Sequence, residues 1–303
     1  MAGYICIASA RGVDIKVPKY CWFSFFNSPY PAHKSCSAID IYFPSGEALF
    51  PVDEGLVLEV ERFECPVFRS DADGFDYLII VKVADDVVLK ILHVKPYVSS
   101  GDVLELGDCL GSLIVSGYFY SWSHRHMHVE IRSISDPYRA LGAFKLDISP
   151  TVEMLSSVVD GDDFYVVDEV FDDYVWLKPS SDRGFISCGL IGRFNESLFH
   201  VDGGIPHYDY GAILGSSGIS GKRVFDVYGG VIGEIYSSDS VFALFKPISQ
   251  PFIDDFPVYG VGSYINNSRL KIVKPNGWPY GCGDIVKLNF RLNGEFNLGS
   301  KIH

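Results

Sequence analysis

The sequence predicts a mainly β protein made of antiparallel sheets. Short apolar or alternating runs recur between turn residues along the first 150 positions, and stretches with helical periodicity are scarce. A third observation concerns size: 303 residues suffice for two ordinary domains, each with its own core. The expected division is 1–148 for the first domain and 149–303 for a second β-rich one.

The strands follow in order. "SAIDIYF" (37–43), "GLVLEVERF" (55–63), "DYLIIVKVA" (76–84), "VVLKILHV" (87–94), "CLGSLIV" (109–115) and "HMHVEIR" (126–132) are rich in β-branched residues and set off by polar turns. Between the third and fourth lies Asp85-Asp86, a two-residue signal suited to a hairpin. "FPSGEALFPVDEG" (43–55) and "SSGDVLELGD" (99–108) carry the Gly, Pro, Asp and Ser of loops. The best helix candidate is "SPTVEMLSSVV" (149–159), where Ser149-Pro150 followed by Glu153 reads as a helix start. It marks the domain boundary.

Composition excludes several classes of function. With 48% hydrophobic and 15% aromatic residues, the chain has ample material for a core, against disorder. A net charge of −13 argues against a protein that tracks nucleic-acid phosphates. No apolar run reaches the roughly 18 residues of a membrane-spanning helix. The start "MAGYICIASARGVDIKVPKY" lacks the basic segment and apolar core of a secretory leader. Seven cysteines form an odd, scattered set without a CxxC pair, which suits reduced thiols rather than a disulfide framework. The expected setting is cytoplasmic, with no membrane or nucleic-acid partner.

The densest chemical signal is "SHRHMHVEIR" (123–132), with His124, His126 and His128 at every second position. On a strand the three imidazoles would share one face. Upstream, His33 and Asp40 bracket a loop that enters a strand, and His93 sits inside the apolar run "VVLKILHVKP". Imidazole nitrogen and carboxylate oxygen are zinc ligands, and a catalytic zinc site typically takes three of them and keeps one position for water.

The order and surroundings of these residues resemble the lysostaphin-like (LytM-type) zinc metallopeptidases. That family's pattern is His-x-Gly-x-Asp, a Pro-x-Gly and Val-x-Ala stretch, an apolar strand containing His, a Gly-Asp-x-Val-x-x-Gly segment, and finally His-x-His-x-Glu. Here "HKSCSAIDIYFPSGEALFPVDEGLVLEV", "VVLKILHVKPYVSSGDVLELGDCLGSLIVSG" and "HMHVEIR" follow in that order across residues 33–132. The resemblance implies a lysostaphin-like, barrel-sandwich domain. It makes His33, Asp40 and His128 the Zn2+ ligands and His93 and His126 the catalytic pair beside the metal. Glu130, next on that strand face, or a backbone carbonyl would hold a ligand's second ring nitrogen, and His124 would stand at the edge of the site as a substrate or solvent contact. In one respect the chain departs from the pattern: six residues separate His33 from Asp40, against three in the family, so that Cys36 occupies the tighter spacing and is an alternative ligand to His33.

The second half reads as a degenerate copy of the first. "YPAHKSCSAID" (30–40) compares with "IPHYDYGAIL" (205–214), "GEALFPVDEGLVLEV" (46–60) with "GKRVFDVYGGVIGEI" (221–235), and "RHMHVEIRS" with "DIVKLNFRL" (284–292). In that alignment Asp40, His93, His126 and His128 become Leu214, Leu244, Ile285 and Lys287, which removes the metal chemistry. A separate polar set, His200, Asp202, His207 and Asp209, sits in "HVDGGIPHYDYG". The expected function is therefore zinc-dependent hydrolysis of a peptide or other amide by a metal-activated water. The alternative is a metal-binding or scaffold protein that keeps the fold without turnover.

Overall fold

The computed structural model describes residues 3–155, 164–181, 186–216 and 221–292. Its strand ladders are antiparallel, and the chain divides into two compact units, Met1–Met154 and Leu155–His303. Among the described residues no helix is long and apolar enough to cross a membrane.

Unit 1 runs β1 (Tyr4–Ala10), β2 (Val13–Pro18), β3 (Trp22–Ser24), helix α1 (Pro31–Lys34), β4 (Ile39–Tyr42), β5 (Glu47–Leu49), β6 (Glu54–Glu64), β7 (Phe75–Lys82), β8 (Val87–Leu92), β9 (Val94–Pro96), β10 (Val103–Glu105), β11 (Cys109–Leu113), β12 (Met127–Ser133) and helix α2 (Ser149–Met154). Seven strands form the main sheet in the order β10-β6-β7-β8-β12-β4-β3, with β5-β11-β9 as a smaller sheet and β1-β2 as a hairpin. The Asp85-Asp86 turn closes as its sequence suggests, with backbone hydrogen bonds between Ala84 and Val87 of 3.3 and 3.4 Å. Helix α2 starts at Ser149, whose backbone N–H donates to Asp147 Oδ1 at 2.9 Å, and its Thr151 hydroxyl donates to the Ile7 carbonyl at 2.6 Å. It is shorter than the predicted 149–159, of which positions 156–159 lie outside the described residues.

Register decides what the main sheet presents on each face. Met127 pairs with Ile41 and Val129 with Ile39 and Ile91, and all five side chains are fully buried. That face is an apolar core. The intervening residues point the other way. His128 lies opposite Asp40 on β4 and Leu92 on β8, and Glu130 lies opposite Lys90. The second face is also buried, yet it carries Asp40, Lys90, His128, Glu130 and Arg132. Beyond this polar row Leu78, Ile80 and Val88 form a small apolar cluster with Phe63 and Leu92 against it.

Unit 2 comprises β13 (Phe164–Val170), β14 (Tyr174–Pro179), β15 (Leu190–Phe194), β16 (Ser197–Ile205), β17 (Tyr210–Leu214), β18 (Arg223–Phe225), β19 (Val231–Ser238), β20 (Phe242–Pro247), β21 (Ser249–Ile253), β22 (Phe256–Pro257), β23 (Gly260–Tyr264), β24 (Asn267–Val273) and β25 (Ile285–Leu292). Because β15 pairs with both β16 and β18, the strands β15-β18-β19-β20-β17-β16 close into a six-stranded barrel. From β16 the sheet continues through β23-β24-β14-β13-β25-β21-β22 as a half-barrel. Closure removes exposed strand edges and lets the interior fill with Val, Ile, Leu and Phe.

The two units pair their strands differently. In unit 1, β12 lies between β8 and β4, whereas β25, its proposed counterpart, lies between β13 and β21. The strand matched to β4, β17, pairs directly with β20 instead. The similarity is one of local turn and strand composition, which two different pairing schemes can share.

Candidate metal centre

His33 comes from α1, a single helical turn with Pro31 near its start. Cys36, just after it, adopts φ of +53°, and the Ser37 N–H returns to the Ala32 carbonyl at 2.8 Å. This tight turn takes up the extra residues between His33 and Asp40, and the imidazole still reaches the sheet. The same turn sets Cys36, the alternative ligand, apart from Asp40. Its buried Sγ lies 4.0 Å from the Leu146 carbonyl, and it does not join the group that gathers around Asp40.

That group is His33, Asp40 and His128. His33 Nε2 stands 3.2 Å from Asp40 Oδ1 and 3.2 Å from His128 Nδ1, and the last two are 2.9 Å apart. Three ligands at tetrahedral zinc distances stand about 3.3 Å from one another. The triangle is thus nearly the face of a metal-binding tetrahedron, and the group can hold a metal ion. Ring orientation agrees. His33 Nδ1–H donates to the Phe25 carbonyl at 2.8 Å, which turns Nε2 inward. His128 Nε2–H donates to Glu130 Oε1 at 3.1 Å, which turns Nδ1 inward. Such outer hydrogen bonds fix the tautomer that a metal requires.

Glu130 is fully buried and also receives Lys90 Nζ at 3.2 Å and the Arg132 guanidinium. Lys90 reaches on to the Tyr30 hydroxyl at 3.1 Å and the Arg139 carbonyl at 3.2 Å. Burial opposes ionisation of Glu130, but His128, Lys90 and Arg132 outweigh it and hold the carboxyl down to about 2. Burial likewise opposes a charge on His128, and its hydrogen bonds to Asp40 and Glu130 reverse that effect, raising the ring to about 9. At Asp40 burial is again outweighed, here by His126, His33 and His128, so the carboxyl lies well below the usual range. Without metal the cluster holds its proton on His128 near neutral pH.

The remaining histidines differ from the sequence expectation in their backbone. Only His128 lies within β12, whose first residue is Met127. His126 precedes the strand, and its Nδ1–H donates to the His124 carbonyl at 2.8 Å. Its Nε2 is 3.6 Å from Asp40 Oδ2, and its ring stacks on Phe119 at 4.5 Å. Burial pushes it down to about 4. His124 is half-buried, 6.0 Å from the Trp22 ring. Nor does His93 sit within a continuous strand. It separates β8 from β9 in a left-handed conformation, φ +67°, where the chain leaves the main sheet for the smaller one. Its ring still lies 5.3 Å from His126 and 6.2 Å from His128.

Sequence reasoning missed Asp76, Lys90, Arg132, Tyr30 and Phe119. Charged residues inside otherwise apolar strands were the available signal for the first three, since such a residue needs a buried partner. The polar set of unit 2 does not assemble in the same way. His200 Nδ1 accepts the Cys188 N–H at 3.1 Å, and among the described residues none of the four belongs to a metal-holding group.

Residues 14–148, less than half of the chain, match a family model described as "Domain of unknown function (DUF8155) N-terminal domain". This stretch contains every residue of the centre. No curated protein and no solved structure matches the chain.

Proposed function

We propose that unit 1 is a zinc-dependent hydrolase that cleaves a peptide or other amide bond with a metal-activated water. The carrying observation is the buried triangle of His33 Nε2, Asp40 Oδ1 and His128 Nδ1, with edges of 2.9–3.2 Å. Two neutral imidazoles and one carboxylate suit zinc. A zinc ion so held would lower the pKa of bound water to about 7 and polarise a carbonyl. His93 and His126 stand beside the triangle and would pass a proton between water and leaving amine. The motif order shared with lysostaphin-like peptidases supports the same reading. Cysteines without disulfides among the described residues favour a reducing, cytoplasmic setting, and a net charge of −13 disfavours nucleic acid as partner.

A second reading, a metal-binding or scaffold protein without turnover, draws on burial: His33, Asp40 and His128 are only 0%, 1% and 3% exposed. One comparison separates the two. Protein purified without added zinc should carry one equivalent, lost in His128→Ala. Hydrolysis of a peptide library should vanish in His93→Ala or His126→Ala while zinc is retained. Stoichiometric zinc in an inert wild-type protein selects the second reading, and absence of zinc binding removes the hydrolase and leaves only the scaffold.

A further inference from the structure

We propose that residues 117–123 form a lid over the metal centre, with the Phe119 ring as its cover and Arg69 as the latch that holds it shut. The inference deepens the hydrolase reading above and rests on it. That reading carries a steric demand. A substrate carbonyl must reach the metal and its water, yet His33, Asp40 and His128 are almost fully buried. Part of unit 1 must therefore move. The ligands themselves sit on the α1 turn, β4 and β12, so those elements have to stay in place. The chain between β11 and β12 is built differently. From Ile114 to His126 it forms no strand or helix, apart from an isolated bridge between Ser116 and Asp73.

The base of this segment is fixed. The Ser116 hydroxyl donates to Asp76 Oδ2 at 2.6 Å, and the same carboxylate accepts the His93 Nδ1–H at 2.7 Å and the His93 backbone N–H at 3.2 Å. Two turns follow, closed by the Phe119 N–H on the Ser116 carbonyl at 3.0 Å and the Ser123 N–H on the Tyr120 carbonyl at 2.9 Å. Phe119 stands between them. Its buried ring lies on His126 at 4.5 Å and 16° from parallel, and it meets His93 edge-on at 4.8 Å. One apolar ring thus caps both imidazoles beside the triangle. Tyr118 and Tyr120, on either side of it, are exposed, so the segment buries one ring and leaves its neighbours at the surface. Arg69 clasps the second turn. Its Nη1 donates to the Tyr120 carbonyl at 2.9 Å and to the Ser123 carbonyl at 3.0 Å, while Nε and Nη2 donate to Asp71 Oδ1 and Oδ2 at 2.5 and 2.9 Å. The carboxylate fixes the guanidinium plane, and the remaining nitrogen holds both ends of the turn. Asp71 is exposed, so the latch lies toward solvent and can open without breaking a strand ladder, as segments that gate a site do.

Hydrogen exchange at the amides of 117–123 in the full-length chain reads the latch without any metal. Arg69→Met keeps the aliphatic stem and removes the clasp. Exchange in this segment should then rise about 10- to 100-fold, as expected for the loss of a charge-assisted hydrogen bond, while the β12 amides keep their wild-type rates. Asp71→Asn, at an exposed position, should give a smaller rise in the same segment and serves if the Met variant does not fold. Unchanged exchange at 117–123 in a folded variant overturns the proposal. So does a rise that spreads equally over β12, which would make Arg69 a general support of the unit. With zinc-loaded protein, capture of the ion by a chromogenic chelator should quicken by a similar factor in Arg69→Met and in Phe119→Ala. Equal release rates in the wild type and both variants overturn the covering role of Phe119. Protein that takes up no zinc, or takes it up and cleaves no peptide, counts against the hydrolase reading, and hydrogen exchange decides the latch in either case.

Discussion

Replacing Glu130 with Gln tests the charged face of the sheet most directly. The substitution keeps the shape of the side chain and removes the charge that His128, Lys90 and Arg132 share. Bringing a carboxyl from its ordinary 4.5 to about 2 on folding is worth about 3 kcal/mol at neutral pH. Breaking a buried ion pair from one side costs about 3–5 kcal/mol. The two figures agree, because in the variant Lys90 and Arg132 would stand buried without their shared counter-charge. For a unit of this size about 3 kcal/mol lowers Tm by about 6–12 °C. The sign with pH is also defined. A carboxyl depressed on folding contributes fully above about 4.5, and that contribution is lost as pH falls toward about 2. Hydrogen exchange at the β12 amides and thermal melts, both on chelator-treated protein, should show the wild type weakening over that window and Glu130→Gln already weak above it. Adding Lys90→Met to the Gln variant should recover part of the loss, since it removes an orphaned ammonium. A Gln variant that loses less than about 1 kcal/mol and keeps the wild-type acid dependence would mean that Glu130 is not the counter-charge this face depends on.

Zinc binding near pH 7 should release about one proton, because His128 holds one up to about 9 in the metal-free protein. Calorimetry in two buffers of different ionisation enthalpy would measure it, and affinity should rise about tenfold per pH unit between about 6.5 and 9. In the metal-free protein the same group acts with opposite sign to Glu130: its stabilisation is complete below about 6.5 and is lost as pH rises through about 9. Cys36→Ala should keep one equivalent of zinc after dialysis, whereas His33→Ala should lose affinity by more than about 100-fold, as metal analysis would show. Gly117→Ala should destabilise unit 1 by about 1–3 kcal/mol in thermal melts, because a Cβ there would fall on the backbone carbonyl of Pro66.

Much of unit 1 was legible in the sequence because its signals are local. Alternation and β-branched residues mark β4, β6, β7, β8 and β12, and Asp85-Asp86 marks a hairpin, since each depends on a few neighbouring side chains and backbone angles. The residues His33, Asp40 and His128 could likewise be named from motif order. Which atoms meet could not. That His33 rather than Cys36 stands beside Asp40 depends on the left-handed turn at Cys36, and the place of His93 depends on a strand break that Asp76 holds from another strand. In the second half similar turn and strand compositions accompany a different pairing scheme, in which β25 pairs with β13 and β21 and a six-stranded ring closes elsewhere.

By itself, then, the sequence determined the β class, the order of the early strands and the set of side chains able to meet a metal. Tertiary structure alone decided their partners: the triangle around Asp40, the Lys90–Glu130–Arg132 cluster, the Asp76–His93 pair and the closure of the barrel. The reason is physical. Propensity and alternation act over a few residues, whereas register, burial and hydrogen-bond partnership depend on strands that are distant along the chain and come together only on folding.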